Sequence, residues 1–197
     1  IVEFEGTSLQ TVSGDITFDT VIVNGDVDFS GNDTIRYKLC MRSGSVANTP
    51  FYMGGARLVY DGTVPVTTSD ELPPYGHSNN PDEVIVQNGA GVNTDIDRQV
   101  SGILRINGGG VLNSNGNITL VSNAADESGM IDPAGTGSVN GLITMERYIP
   151  GTYTGSQIQG GYESGYHYVG AAFDASNVSQ FADFSPFTPN GSACLPN

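Results

Sequence analysis

The chain has no tryptophan, a single lysine and only two cysteines among 197 residues. Lysine and arginine together number 7 against 21 acidic residues, a net charge of −14. A field of that sign repels phosphate, so nucleic acid and anionic membrane surfaces are disfavoured as partners. No apolar run approaches the ~18 residues of a membrane-spanning helix, so no membrane insertion is expected. There is also no initiating methionine, basic leader or apolar leader segment at the start. We therefore expect a mature or excised segment of a longer chain, with any secretion signal removed or upstream. Charged residues make up 14% and apolar residues 38%, against roughly 25% and 45–50% in ordinary globular chains. That shortage excludes a coiled coil or helical bundle, while the regular recurrence of short apolar clusters argues against disorder.

What the chain does have is glycine, 27 residues of it, with abundant serine, threonine and asparagine. Short β-branched runs stand between these turn formers: Val21-Ile22-Val23, Val84-Ile85-Val86, Ile103 to Ile106, Ile118 to Val121 and Leu142 to Met145. None has a helical period, and turns recur every few residues, which predicts an all-β fold.

Self-comparison sharpens this reading. Val2 to Thr7 matches Leu58 to Thr63 at an offset of 56, Val21-Ile22-Val23 matches Val84-Ile85-Val86 at 63, and Leu39, Met41, Gly44 and Val46 match Leu104, Ile106, Gly109 and Val111 at 65. Two degenerate copies, 1–46 and 56–111, thus hold about three strand-turn units each, and a partial third series runs to Pro150. The growing offset reflects insertions, chiefly around Asp70–Pro81, whose three prolines keep it out of a sheet interior. Strands that tolerate an inserted side loop suit a β-solenoid, with a β-sandwich as the alternative. Within Arg36 to Arg42, a period of two places Tyr37, Leu39 and Met41 inside and Cys40 outside with the basic residues. After Pro150 the texture changes, so 1–150 is expected to be the solenoid and 151–197 a β-rich cap or the start of a following domain.

Leu58 to Thr63, Asn80 to Asn88, Gly102 to Ile106, and Asn117 to Asn123 continuing into Ile131-Asp132-Pro133 resemble the β-helical repeats of large secreted surface proteins of Bacteroidota. Gly141 to Pro150, followed by Tyr166-His167-Tyr168-Val169, is similar to the segment that closes such arrays. The resemblance covers 1–190 and implies a right-handed parallel β-helix of about six to eight coils. It further implies export by the type IX secretion system and an extracellular or cell-surface location. The partners implied are the type IX outer-membrane translocon, other domains of the parent chain and surface glycans. The family includes adhesins, gliding-motility proteins and appendages of enzymes. No sorting domain is visible before Asn197.

The chemistry-bearing residues are few. Asp26 and Asp28, within the carboxylate series Asp15 to Asp33, are the candidates for a weak Ca²⁺ site, but the EF-hand and glycine-rich nonapeptide spacings are both absent, and the pattern reads more readily as solvated turn acids. No catalytic residues are assigned: His77 and His167 have no partner at a recognised spacing, and the remaining arginines, Arg98 among them, read as surface cations. Tyr148, Tyr166 and Tyr168 could stack on a carbohydrate or pack against the next unit. Cys40 and Cys194 could pair in an oxidising compartment or remain free thiols. Asp19-Thr20-Val21 and Asp33-Thr34-Ile35 resemble the O-glycosylation sequon of the same bacteria, which makes Thr20 and Thr34 candidates. The expected function is a non-catalytic, adhesin-like spacer or display stalk. A carbohydrate-binding module using loop 69–82 is the alternative, and an accessory part of a polysaccharide-degrading enzyme stands third.

Overall fold

Val2, Val21, Leu39, Leu58, Val84, Leu104 and Ile131 pair in turn across one parallel sheet, each aligned with the next. They belong to the strands Val2–Glu5, Thr17–Asn24, Thr34–Ser43, Arg57–Tyr60, Glu83–Val86, Ile103–Ile106 and Met130–Ile131, stacked in chain order, with Phe51–Tyr52 paired beside Thr34–Ser43. The structure is a computed structural model that describes residues 1–124, 127–132 and 134–146. The described residues contain no helix.

Three smaller parallel sheets are built from the same passes of the chain. One joins Gln10–Val12, Val27–Phe29 and Val46–Ala47. A second joins Val66–Thr67, Val92–Asn93, Val111–Asn113 and Ser138–Asn140. A third joins Arg98–Val100, Ile118–Leu120 and Ile143–Met145. Among the strands of the described residues, only Ser122–Ala124 with Glu127–Ser128 is an antiparallel pair. Parallel pairing of this kind departs from the antiparallel sheets of a β-sandwich.

The register explains the internal repeats. Val2, Val21, Leu39 and Leu58 are successive partners, spaced almost evenly along the chain. The offset that relates Val2 to Leu58 is therefore three passes, and the true repeat is one pass. The steps from Leu58 to Val84 and from Leu104 to Ile131 are longer than these early ones. The register across the sheet survives both, because the extra residues leave between strands. All four sheets contribute to a single hydrophobic cluster, in which Val21, Val23, Val27, Ile35, Leu39, Met41 and Leu58 are wholly buried. Phe4, Phe18 and Phe29 meet edge to face there, with centroids 6.2–6.3 Å apart. On the rim, Asn93, Asn113 and Asn140 form an amide ladder with bonds of 2.8 and 2.9 Å, which ties consecutive passes in register as stacked amides do in other cross-strand arrays.

Two details correct the alternation expected within Arg36 to Arg42. Phe18 pairs with Ile35 and Thr20 with Lys38, so one residue, Asp19, faces two, Arg36 and Tyr37. This bulge turns Tyr37 outward, where it is 54% exposed and lies beneath the Arg57 guanidinium, 5.8 Å from its ring centre. Cys40 faces outward as expected yet is buried, between Ile22 and Val59 in the pairing order.

At the corner of the early passes Gly6, Gly25 and Gly44 recur, one to each pass. Gly44 adopts φ +76°, and a Cβ there would collide with the Gly25 carbonyl. Gly54 has open space around its Cα and no positive φ. We predict that Gly44→Ala lowers unfolding free energy by about 1–3 kcal/mol, from φ strain and main-chain collision together. Gly54→Ala should change it by less than about 0.5 kcal/mol; urea denaturation of the two variants distinguishes them.

Candidate functional site

The excursion between Val66–Thr67 and Glu83–Val86 is the largest departure from the regular passes in the first half of the chain. Sequence reasoning treats it as a side loop, but its first part enters the interior. Glu71 is fully buried, with Leu72 at 2% exposure beside it. The Ser69 N–H donates to both Glu71 carboxylate oxygens at 3.0 Å, the Ser69 hydroxyl donates as well, and the Tyr60 hydroxyl adds a bond of 2.9 Å. The Tyr52 hydroxyl donates to the Glu71 carbonyl at 2.5 Å. Burial raises the Glu71 carboxyl above its ordinary range, and the bonds from Ser69 and Tyr60 only partly oppose that. Burial, with Glu71 nearby, holds the Tyr52 and Tyr60 hydroxyls protonated far above the usual tyrosine range.

Arg98 is the second anchor and corrects its reading as a surface cation, because only 2% of it is exposed. It donates to the Leu72 carbonyl at 2.8 Å and to Asp95 at 2.9–3.1 Å. The Thr68 hydroxyl donates to the same carboxylate at 2.9 Å. Partial burial works against ionisation of Asp95, but the bonds from Arg98, Thr68 and the Ile96 N–H prevail and lower its pKa. Alternation with Val100 inside the strand Arg98–Val100 was the available sequence signal for an inward Arg98.

The outer part of the excursion is clamped just as closely. Pro74 bridges Arg98 in antiparallel fashion, and the Tyr75 N–H donates to the Asp97 carbonyl at 3.0 Å. Gln99 accepts from the Gly76 N–H at 2.7 Å and donates to the His77 carbonyl and, at 2.9 Å, to Asn80 Oδ1. Asn79 exchanges two bonds with the Tyr52 main chain, at 2.7 and 3.0 Å. His77 turns Nδ1 toward the Asn79 main chain. Between this rigid arch and the Ser101-Gly102 turn lies a polar cleft of about 740 Å³, with Val121 and Glu146 on its far wall. The Tyr75 hydroxyl spans it to Glu146 Oε1 at 2.6 Å. A smaller cleft of about 440 Å³ lies beside Asn24, Arg42 and Asp61, where Arg42 pairs with Asp61 at 3.4 Å and with Glu3 at 3.5 Å.

The other candidates are dispersed. Asp26 accepts from the Ser45 N–H and hydroxyl at 2.9 and 2.8 Å, and Asp28 accepts from Asn48 at 2.7 Å, so both carboxylates cap the next pass. Among the described residues no three acidic, histidine or cysteine side chains gather as a metal site. Thr20 and Thr34 are half-buried and stand across from Lys38 and Phe51, respectively. Cys40 is a buried thiol whose pKa is raised, by burial first and by Asp61 second. Tyr148, Tyr166, Tyr168, His167, Arg147, Cys194 and the whole segment 151–197 lie outside the described residues.

Glu71 makes a pH prediction with a definite sign. A carboxyl with a raised folded value contributes full stability below its ordinary value of 4.5 and loses that contribution as pH climbs toward the raised value. Asp95 acts in the opposite sense, stabilising above its ordinary value of 3.8 and losing that contribution as pH falls toward its lowered one. Glu71→Gln should therefore gain stability relative to the native chain as pH rises from 4.5. The gain is at most about 1.4 kcal/mol per pH unit and becomes constant once Glu71 is ionised. Urea melts at closely spaced pH read the difference, and a pH-independent difference would contradict the assignment.

No family model matches the chain, and no curated protein or solved structure matches it either.

Proposed function

We propose that the parallel sheets are faces of a right-handed β-helix, and that this chain is a non-catalytic, rigid display segment of a large protein exported to a bacterial surface. One observation carries the reading: strands one pass apart stay in parallel register from Val2 to Ile131 although the passes that feed them differ in length. A ladder of that kind extends by addition, each pass adding about 4.8 Å of length. It also stiffens as it grows, because every pass is bonded to its neighbours. A polypeptide that must hold something away from a cell needs both properties. The acidic composition supports the reading, since it keeps a long surface soluble and discourages adhesion to anionic envelopes. The type IX route, the outer-membrane translocon as transient partner and the attachment to further domains rest on the resemblance of the repeats.

Two experiments test this. Duplicating the single pass that runs from Glu83 to Gly102 should give a folded chain lengthened by one strand spacing, about 4.8 Å. Spin labels on the first and last passes measure the increment, and a chain that fails to fold would count against the β-helix. In the producing bacterium, the tagged protein should be cut by protease added to intact cells and should stay inside when the type IX translocon is inactivated. Export that survives that inactivation would remove the secretion assignment.

A further inference from the structure

We propose that the cleft under the 69–82 excursion is a binding site for a short neutral oligosaccharide, with Tyr75 as its stacking platform. The argument begins with how tightly the arch is held. Gln99 and Asn80 commit their amides to loop main chain and to each other, and Asn79 commits its amide to the Tyr52 main chain, so the cleft wall is set before any ligand arrives. Such preorganisation removes the ordering cost that a mobile loop would bring to binding. An insertion that was merely tolerated would need none of these clamps.

What remains on the wall is chemically selective. Tyr75 presents a ring that is 54% exposed. The Ser78 and Ser101 hydroxyls make no hydrogen bond among the described residues, and Asp82 uses only Oδ2, accepting from the Gly55 N–H at 2.5 Å. Asp82 Oδ1 is thus left to accept from a ligand. His77 turns Nδ1 to its own loop and leaves Nε2 for a ligand. The set is one aromatic face with hydroxyl, imidazole and carboxylate groups around it. That composition suits the apolar C–H face and polar hydroxyl edge of a pyranose. Among the described residues no lysine or arginine lines the cleft, while Asp82 does, which disfavours phosphates and uronic acids. A volume of about 740 Å³ lies within the range of small-molecule sites, roughly 300–1,000 Å³. This inference goes beyond the display role and does not depend on it.

The test is an amide chemical-shift titration of the full chain with cellohexaose, laminarihexaose and mannohexaose, with hexagalacturonate as the acidic counterpart. At least one neutral hexaose should shift the amides of Tyr75, His77 and Ser101 and leave those of the Arg36–Lys38 face still. Tyr75→Ala should weaken that binding about tenfold or more, while Tyr75→Phe stays within about threefold, since the ring carries the contact. Asp82→Asn, which keeps an acceptor for Gly55, should also weaken binding, with an unchanged melting temperature certifying the fold. Three results would overturn the proposal: no shift at the cleft with any neutral hexaose at millimolar concentration, tighter binding of hexagalacturonate or of a pentalysine peptide, or binding indifferent to both Tyr75→Ala and Asp82→Asn. Since the titration of the native chain maps the site by itself, a variant that fails to fold does not remove the test.

Discussion

Everything in this molecule answers to the parallel backbone ladder. Each strand must offer its N–H and C=O groups at the height of the previous pass, and a one-residue slip would exchange its inward and outward faces. The inner columns show the constraint at work: Phe4, Val23, Met41, Tyr60, Val86 and Ile106 pair in succession on the same face of the large sheet. The chain absorbs irregularity without breaking that column. Small irregularities become bulges, at Arg36-Tyr37 and at Arg42, and large ones leave the sheet altogether, as residues 68–82 do. The glycine column at Gly6, Gly25 and Gly44 and the amide ladder at Asn93, Asn113 and Asn140 are local devices for the same end, fixing where one pass lies on the last.

The excursion has the more demanding energetics. A buried carboxylate and a buried guanidinium each lose several kcal/mol of hydration, and their mutual attraction often fails to compensate. Here Glu71 and Arg98 are not partnered with each other. Glu71 is served by neutral donors, the Ser69 and Tyr60 groups, whereas Arg98 has Asp95 and two main-chain carbonyls. Complete burial outweighs those neutral donors, so Glu71 keeps a raised pKa, whereas the bonds from Arg98, Thr68 and the Ile96 N–H outweigh the smaller desolvation of Asp95 and lower its own. The arrangement contributes little net stability and much definition. Removing any single member strands a buried polar group, so the loop has one conformation rather than several.

The fold was more legible in the sequence than the cleft, for a physical reason. A ladder repeats, and repetition leaves a trace even where identity has decayed: the three-pass offset between Val2 and Leu58 was visible because Phe4-Glu5-Gly6-Thr7 and Tyr60-Asp61-Gly62-Thr63 both place an aromatic before an acidic turn. The single pass was harder to see, because a bulge shifts its matching positions: Val23-Asn24-Gly25 answers to Met41-Arg42-Ser43-Gly44. Tyr37 was misplaced because a bulge adds a residue without any local mark. The cleft has no repeat behind it. Gln99, Asn79 and His77 acquire their roles from partners on other passes or within the loop itself. Loop 69–82 could be named from its prolines, but its polar wall could not.

The charge map links the two readings. Arg36, Lys38, Arg42, Arg57 and Arg105 all stand on the outer face of the large sheet, and each of the four arginines meets a carboxylate there: Asp19, Glu3 and Asp61, Glu83, and Asp132. The exposed pairs, Arg36 with Asp19 and Arg42 with Glu3, contribute at most about 1 kcal/mol each, so their consequence is electrostatic rather than cohesive. With Arg98 inside and paired to Asp95, the accessible lysine and arginine side chains of the described residues are confined to that face, and turn acids such as Asp15, Asp26 and Asp28 have no cation paired to them there. A surface so charged repels its own copies and other polyanions alike. Contacts are favoured where recognition does not depend on attraction between opposite charges, and the cleft under Tyr75, walled by hydroxyl, imidazole, amide and carboxylate groups and without a cation among the described residues, is such a place.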